Sequence, residues 1–253
     1  MDRSHDYNHL AARWGRVARR SGLALRSIAE TDSHPVTALV SPALGRTGGI
    51  YLSAGIHGDE PAAPQALLAW AEKHADGLAA LPLLLLPCLN PWGLGHNRRS
   101  DAAGRDLNRD WHRGCHPTIR AVRHLTARRR FSIALCLHED YDAEGLYVYE
   151  PRRGSRLWGP HLLDAGTRHL PVDPRAWIEG RKVSRPGLIA RRVARAQFRG
   201  MGLPEAVWLH LERADRTFTI ETPSEAALRD RVACQVAVIE ETLRLQAAEG
   251  GQR

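Results

Sequence analysis

The sequence has few cysteines and no long apolar run. The four cysteines form no CxxC pair, and two of them, Cys88 and Cys136, lie inside apolar strand-like runs. Buried free thiols are expected at such positions, so we do not expect a disulfide framework. The longest apolar run, residues 81–89, contains two prolines and is too short to cross a bilayer. The N-terminus lacks an apolar stretch of signal-peptide length. We therefore expect a cytoplasmic protein that has no membrane partner.

Lysine is also scarce, and the chain contains only two, Lys73 and Lys182. Arginine supplies the rest of a formal net charge of +8, at a sequence pI near 9.9. The arginines are spread along the whole chain, and no zinc finger, RNP motif or basic arm accompanies them. Nucleic acid is therefore not expected as the main partner, whereas small anionic ligands are favoured near this surface.

The length of 253 residues suits one sizeable domain with a full core. No linker, low-complexity tract or internal repeat divides the chain, so we expect a single domain over residues 1–253. Strand-like runs alternate with helix-like segments, which predicts the α/β class. The expected architecture is a doubly wound, mostly parallel, mixed β-sheet that is flanked by helices.

Hydrophobic periodicity and capping residues predict the individual elements. Residues 91–117 are polar and aperiodic and are expected to form a long functional loop. Residues 155–201 are expected to mix helix and loop. The predicted helices cover 7–21, 61–75, 118–130 and 224–251; the predicted strands cover 23–29, 36–40, 50–56, 81–90, 131–140, 145–150 and 217–223.

Polar residues follow or end four of the predicted strands, in "HGDE" (57–60), at Asn90, in "HED" (138–140) and at Glu221. Ligands bind beyond the carboxyl ends of parallel strands. Two imidazoles and one carboxylate with an open fourth position form the ligand set of hydrolytic zinc sites. Gly58 would let the chain turn tightly enough for the "HGDE" acid to lie beside its imidazole.

Spacing alone leaves other interpretations of these residues open. A histidine at a strand end can be a hydrogen-bonded core residue. Asp59, Glu139 and Asp140 are expected to orient an imidazole or to be solvated acids. Four further histidines in or after the long polar segment are rival ligands: His96, His112, His116 and His124.

Four motifs in order, "HGDE", "NPWGLGHNRRSDAAGRDLNRDW", "LHED" and "FTIETPSE", span residues 50–225. In this order the sequence resembles the zinc carboxypeptidase family of carboxypeptidase A type. That family includes murein-peptide amidases and, more distantly, the aspartoacylase and succinylglutamate desuccinylase deacylases. "GRDLNRDW" beside "HGDE" is the most specific part of the resemblance.

The resemblance implies one Zn²⁺ per chain and a role for each motif. It implies Glu221 as the general base and acid that activates the attacking water. Arg99 matches the arginine that polarises the scissile carbonyl, although its neighbour Arg98 competes for that role. The implied zinc ligands are His57, Glu60 and His138, and the implied binders of the substrate carboxylate are Asn108 and Arg109.

The sequence departs from the digestive carboxypeptidases in two places. None of the five tyrosines lies in the twenty or so residues before Glu221, where those enzymes carry a mobile tyrosine, and "HED" replaces their common "HSY". We therefore expect hydrolysis of an amide bond next to a free carboxylate in a small peptide, such as a cell-wall peptide. The alternatives are an N-acyl amino acid deacylase and a metal-free, ligand-binding descendant. The oligomeric state is left open.

Overall fold

The computed structural model describes residues 3–31, 34–154 and 156–250. Within this part the elements in chain order are α1 (Tyr7–Ser21), β1 (Ala24–Glu30), β2 (Pro35–Val40), β3 (Gly49–Ser53), α2 (Ala62–Lys73), β4 (Leu83–Leu86), α3 (Pro91–His96), α4 (Pro117–Thr126), β5 (Phe131–Asp140), β6 (Tyr147–Pro151), α5 (Gly159–Gly166), β7 (Trp177–Ile178), β8 (Arg181–Lys182), β9 (Leu188–Arg191), α6 (Glu205–Glu212), β10 (Ala214–Pro223) and α7 (Leu228–Gly250).

Eight strands form one sheet in the order β1-β2-β4-β3-β5-β10-β6-β9, and β7 with β8 forms a separate hairpin. Four of the seven pairings in the large sheet are parallel: β4–β3, β3–β5, β5–β10 and β6–β9. The other three are antiparallel. The predicted α/β class and mixed, mostly parallel sheet are confirmed.

Helices cover both faces of this sheet. Successive strand residues point to opposite faces, so Ile50 and Leu52 pack in one hydrophobic cluster and Tyr51 packs in the other. Helices α1, α2, α5 and α7 contribute to the first cluster, and α4 and α6 contribute to the second. His138 and Glu221 follow the alternation of β5 and β10 onto the α6 face.

The terminal helices agree with the predictions to different degrees. Helix α1 has the predicted bounds; Asp6 accepts a hydrogen bond from the backbone N–H of His9, and Gly22 closes the helix at φ 72°. Helix α7 begins at Leu228, four residues after the predicted Ser224, because residues 224–226 form a turn. The predicted stop at Gly251 lies outside the described residues. Among the described helices, none has the length and apolar composition needed to span a bilayer.

The prediction of one unstructured loop over 91–117 is wrong. The segment contains α3 and a short 3-10 helix at Leu107–Arg109. Both begin with local capping that hydrophobic periodicity does not detect. The Asn90 side chain accepts from the N–H of Gly93 at 3.0 Å, and the Asp106 side chain accepts from the N–H of Asn108 at 2.8 Å. Residues 155–201 likewise contain the short strands β7, β8 and β9 besides helix and loop.

Candidate active site

The "HGDE" segment follows β3 at the carboxyl edge of the sheet. Strand β3 ends at Ser53, three residues earlier than predicted, so the chain leaves the sheet before reaching His57. His138 lies on the neighbouring strand β5 and is buried. Parallel pairing of β3 with β5 brings their carboxyl ends to the same edge. Segments separated by about eighty residues in sequence therefore meet there.

Gly58 is required for close packing of this segment rather than for an unusual dihedral angle. A Cβ atom at Gly58 would lie 1.9 Å from the backbone carbon of Gly93. The N–H of Gly58 donates to the carbonyl of Arg98 at 3.0 Å. The positive φ in this region belongs to Gly55, at 63°. The segment is thus held against α3 and the loop that follows α3.

Three buried side chains converge beyond the strand ends. Ligand atoms of His57, Glu60 and His138 lie within 4.8 Å of one another. Nδ1 of His57 is 2.5 Å from Oε1 of Glu60, and Nδ1 of His138 is 2.9 Å from Oε2 of the same carboxylate. The three side chains implied by the resemblance as zinc ligands are therefore adjacent in space.

Each of these groups alters the ionisation of the others. Burial alone would raise the pKa of Glu60, but the two adjacent imidazoles lower it to about 2. Burial alone would lower the pKa of His57, but the Glu60 carboxylate raises it to about 9. The pKa of His138 is also raised by Glu60 against the effect of burial. Glu60 is thus a carboxylate anion, and its negative charge favours a cation at this position.

Asp106 contacts the other side of the His57 ring. Its Oδ1 lies 3.3 Å from Nε2 of His57, without the geometry of a hydrogen bond, and Nε2 has no other partner among the described residues. Despite burial, His57 and Arg99 hold the pKa of Asp106 well below its usual range. Asp106 is not among the site residues predicted from the sequence. Its position directly before "LNR" is the signal that could have identified it.

Glu221 faces the same space from β10. Residue 221 lies directly opposite His138 in the parallel pairing of β10 with β5, and its side chain lines a cavity of about 730 Å³ together with the three converging residues. Burial raises the pKa of Glu221, and the Glu60 carboxylate adds to this effect. A carboxyl group with a raised pKa beside a possible cation site is suited to taking up and releasing a proton.

Of the two neighbouring arginines, the structure brings Arg99 to the cavity and not Arg98. Arg99 places Nη1 3.7 Å from Oε1 of Glu60, and its Nη2 donates to Oδ2 of Asp106 at 3.3 Å. The side chain of Arg98 is exposed and does not line the cavity. Its backbone N–H donates to the carbonyl of Gly93 in α3, and its carbonyl accepts from the N–H of Gly58 in the "HGDE" segment.

Asn108 and Arg109 also line the cavity. Oδ1 of Asn108 accepts from the N–H of Glu205 at 2.8 Å, which ties the 3-10 helix to the first turn of α6. The Arg109 guanidinium donates to the carbonyl of Asn108 at 3.0 Å. The fixed amide and the adjacent guanidinium can together receive a carboxylate.

The acids expected to orient an imidazole have other contacts. Glu139 accepts hydrogen bonds from the N–H of Ala62, at the start of α2, and from Arg231. Asp140 accepts from the hydroxyl of Tyr147 at 2.8 Å. Asp59 is exposed on the cavity wall. The carboxylate of Glu139 therefore anchors the helix that follows the "HGDE" segment and does not contact a ring.

The rival histidines are elsewhere in the described structure. His96 contacts the carbonyl of Trp92, and His116 caps α4. Neither these two nor His112 and His124 join the His–Glu–His cluster. Conversely, Tyr149 lines the cavity although it precedes the catalytic candidate by about seventy residues. Its position on β6, next to β10, is a tertiary feature that local sequence does not predict.

The donor set fits a divalent cation that prefers nitrogen and oxygen ligands at low coordination number, such as Zn²⁺. Two imidazole nitrogens and a carboxylate are buried and adjacent, and the carboxylate supplies compensating negative charge. The cluster also opens onto a cavity large enough for a small molecule. The arrangement can therefore hold a metal ion beside a cavity that admits a small molecule.

The eight-stranded mixed sheet with flanking helices is the fold of solved metallopeptidases and metallo-carboxypeptidases. A solved Shewanella denitrificans OS217 protein, assigned as a metallopeptidase, aligns with TM-score 0.82 at 22% identity, over 94% of this chain and 89% of that chain. The murein-tripeptide amidase of Escherichia coli O157 aligns with TM-score 0.57 at 19% identity, over 90% and 95% of the two chains.

Matches in sequence are more local. The model of the succinylglutamate desuccinylase/aspartoacylase catalytic domain matches residues 47–138. Carboxypeptidase 2 of Trichophyton tonsurans is 34% identical over 100 residues, which is 36% of this chain and 18% of that protein. The chain spans at most 28% of the length of the curated relatives it matches. The chain is thus similar in sequence to carboxypeptidases and to the succinylglutamate desuccinylase/aspartoacylase catalytic domain, which confirms the predicted resemblance.

Proposed function

We propose that this chain is a metal-dependent hydrolase, with one catalytic domain, that cleaves an amide bond next to a free carboxylate in a small peptide. The observation that carries the proposal is the convergence of the buried His57, Glu60 and His138 with Glu221 in one cavity. The metallopeptidase and carboxypeptidase relatives support the same reaction class. No one of these side chains alone would suggest hydrolysis.

His57, Glu60 and His138 would hold the cation, and Zn²⁺ is the proposed metal. When bound, such a cation lowers the pKa of water toward about 7 and polarises a carbonyl. The site contributes by fixing its three ligands in place. Glu60 is held by the start of α2, which Glu139 and Arg231 anchor in turn.

Glu221 is the proposed general base and acid. It is not one of the converging ligands, and it lies across from His138 on the cavity wall. Its carboxylate takes the proton from the attacking water and later delivers that proton to the departing amine nitrogen. The raised pKa assists the second transfer, since a weaker acid retains the proton until the nitrogen becomes basic.

The arginines and the amide position the substrate. Arg99, beside Glu60, is placed to stabilise negative charge on the carbonyl oxygen as it develops. Asn108 and Arg109 are proposed to bind the free carboxylate next to the scissile bond. Binding the scissile carbonyl and the free carboxylate at the same time fixes the orientation of the amide bond for attack.

An N-acyl amino acid deacylase is the second candidate. The match of residues 47–138 to the desuccinylase/aspartoacylase domain favours it, and the same ligands, base and carboxylate binders would serve both reactions. In both reactions the released amine is an amino acid that carries the free carboxylate; the two differ in the acyl group, which is a peptide in the first and an acid such as acetate or succinate in the second. Specificity for one of the two substrate classes must therefore come from other residues that line the cavity.

The test uses the full chain, prepared without chelator and reconstituted with Zn²⁺. Elemental analysis should find one metal per chain, and less in His138→Ala. A substrate panel then compares release of the C-terminal residue from short peptides with release of acetate or succinate from N-acyl amino acids. Peptide hydrolysis supports the main proposal, and acyl release alone supports the deacylase. Less than stoichiometric metal in the unmodified chain, with no turnover, would indicate a metal-free ligand-binding protein.

A further inference from the structure

One wall of the cavity, here called the floor, is formed by side chains of β10, β6 and β9 and extends away from the candidate metal centre. Thr219 on β10 is opposite Tyr149 on β6, which is opposite Ile189 on β9. Glu221 and Arg191 lie two positions from this row on the same face. Because β9 runs antiparallel to β10, these two residues lie at opposite ends of the floor. All five side chains line the same cavity.

The β7–β8 hairpin brings a second arginine to the far end. Its two loop residues, Glu179 and Gly180, have φ of 47° and 68°, as a two-residue type I′ turn requires. Ile178 is buried and packs in a cluster with Ile189. Arg181 is the cross-strand partner of Ile178 and shares its face of the hairpin. Packing of Ile178 thus directs Arg181 toward the floor.

The two arginines are close enough to influence each other, and no countercharge contacts either of them within the described residues. Burial and the neighbouring Arg181 lower the pKa of Arg191. In residues 3–31, 34–154 and 156–250, neither guanidinium forms an ion pair, whereas Arg231 in the same cavity is paired with Glu139. The nearby Glu179 accepts a hydrogen bond from the Tyr149 hydroxyl at 2.5 Å. Two half-buried, unpaired guanidinium groups favour an anionic ligand.

We infer that Arg181 and Arg191 form an anion-binding end of the cavity, which selects substrates whose terminal residue has an acidic side chain. The inference rests on the proposed hydrolysis at the metal centre and names its substrate class. A carboxylate side chain placed there would be held bidentately by one or both guanidinium groups.

The dimensions of the floor suit this assignment. Glu221 pairs with Tyr147, and extending the β6–β9 register places Tyr147 opposite position 187, four residues before Arg191. The backbones at the two ends are therefore separated by about 13 Å along the strands and about 10 Å across them. An extended arginine side chain is long enough to cover part of this span. The remaining gap accommodates the side chain of an acidic residue.

The experiment measures kcat/KM of the Zn²⁺-reconstituted full chain on three N-benzoyl-glycyl dipeptides, which end in glutamate, leucine or lysine. We expect a preference for glutamate over leucine of at least about 10-fold. Arg181→Met and Arg191→Met should each lower kcat/KM for the glutamate substrate about 10-fold and change the leucine substrate by less than about 3-fold. Arg191→Lys, which keeps the charge, should retain part of the preference. The exposed neighbour Arg192 provides the matched control, and Arg192→Met should behave like the parent.

The outcomes separate this inference from the proposed function. Hydrolysis with the same glutamate-to-leucine ratio in parent and both methionine variants would overturn the inference and leave the proposed function intact. If no peptide is hydrolysed, calorimetric binding of N-acetyl-glutamate and N-acetyl-leucine decides, measured in chains that carry Glu221→Gln so that neither compound is turned over. Tighter binding of the acid, lost in the Arg181→Met/Arg191→Met double variant, supports the anion-binding end. Equal binding, or none, overturns it.

Discussion

Glu221 and His138 lie directly opposite each other on the parallel strands β10 and β5. This pairing places the proposed base next to a proposed metal ligand through backbone hydrogen bonds of the central sheet. The separation of the two groups therefore does not depend on a loop. A site built on paired strands retains its geometry when a single side chain is changed, which makes the substitutions below informative.

Replacing the proposed base should abolish turnover and leave the metal in place. Glu221→Gln removes the ionisable group and keeps the shape, so we expect kcat to fall at least about 1,000-fold. Metal content by elemental analysis should equal that of the parent. Glu225→Gln, an exposed acid on the same cavity wall, is the control. Parent-like turnover in Glu221→Gln would remove Glu221 from the mechanism.

The two adjacent arginines should differ sharply in their effect on catalysis. Arg99→Met removes the guanidinium beside Glu60 and should lower kcat about 100-fold, because stabilisation of the developing oxyanion is lost. Arg98→Met changes an exposed side chain outside the cavity and should leave kcat within about 2-fold of the parent. Steady-state kinetics on one substrate measures both. The reverse ranking would assign the role to Arg98.

Asp106 should affect the affinity for the metal through His57. Asp106→Asn removes the charge 3.3 Å from Nε2 of His57 and should weaken Zn²⁺ binding about 10- to 100-fold, as expected when the partner of a ligating imidazole is lost. Competition with a chromogenic chelator gives the dissociation constants. The exposed Asp142→Asn serves as the control. An unchanged dissociation constant would show that Asp106 does not support the metal site and serves only its contacts with Arg99 and Asn108.

His210 should make the protein sensitive to mild acid. Burial, with a smaller contribution from Arg153, lowers the pKa of this imidazole from 6.5 to about 4 in the folded state. Between pH 6.5 and 4 the unfolded chain binds more protons at this position, so the free energy of unfolding decreases as the pH falls through that window. The loss is on the order of 2 kcal/mol.

Urea unfolding of the metal-free protein at about pH 7.5 and about pH 4.5 measures this dependence. His210→Gln should lose less stability than the parent between the two values, by about the amount above. His124→Gln, at an exposed position, should retain the dependence of the parent. Equal pH dependence in parent and His210→Gln would show that His210 is not the responsible group.

Close packing at Gly58 gives a test of the backbone. Gly58→Ala places a methyl group 1.9 Å from the backbone of Gly93, so the two segments must separate. We expect a loss of about 1–3 kcal/mol in the free energy of unfolding and weaker metal binding. Gly95→Ala, where a Cβ meets nothing within 4 Å, should not destabilise the protein. Equal stability of the two variants would contradict the close approach.

The longer elements follow from the sequence because their signals are local. Helix α1 and strand β5 have the predicted bounds, since amphipathic periodicity, an aspartate cap and an unbroken apolar run each act over a few residues. Several short elements could not be predicted from periodicity. Helix α3 depends on one capping amide, and β9 depends on pairing with β6, from which it is separated by the whole of α5 and the β7–β8 hairpin.

Composition and periodicity predicted the α/β class and the mixed sheet, whereas the resemblance carried by the four motifs implied the residues that could act as ligands, base and carboxylate binders. Three features emerged from the folded chain alone: Arg99 rather than Arg98 reaches the cavity, Asp106 contacts His57, and Tyr149, Arg181 and Arg191 line the same space as Glu221. Side-chain type and spacing act along the chain, whereas strand order and close packing bring together residues that are distant in sequence. For that reason no local pattern could have placed these groups beside one another.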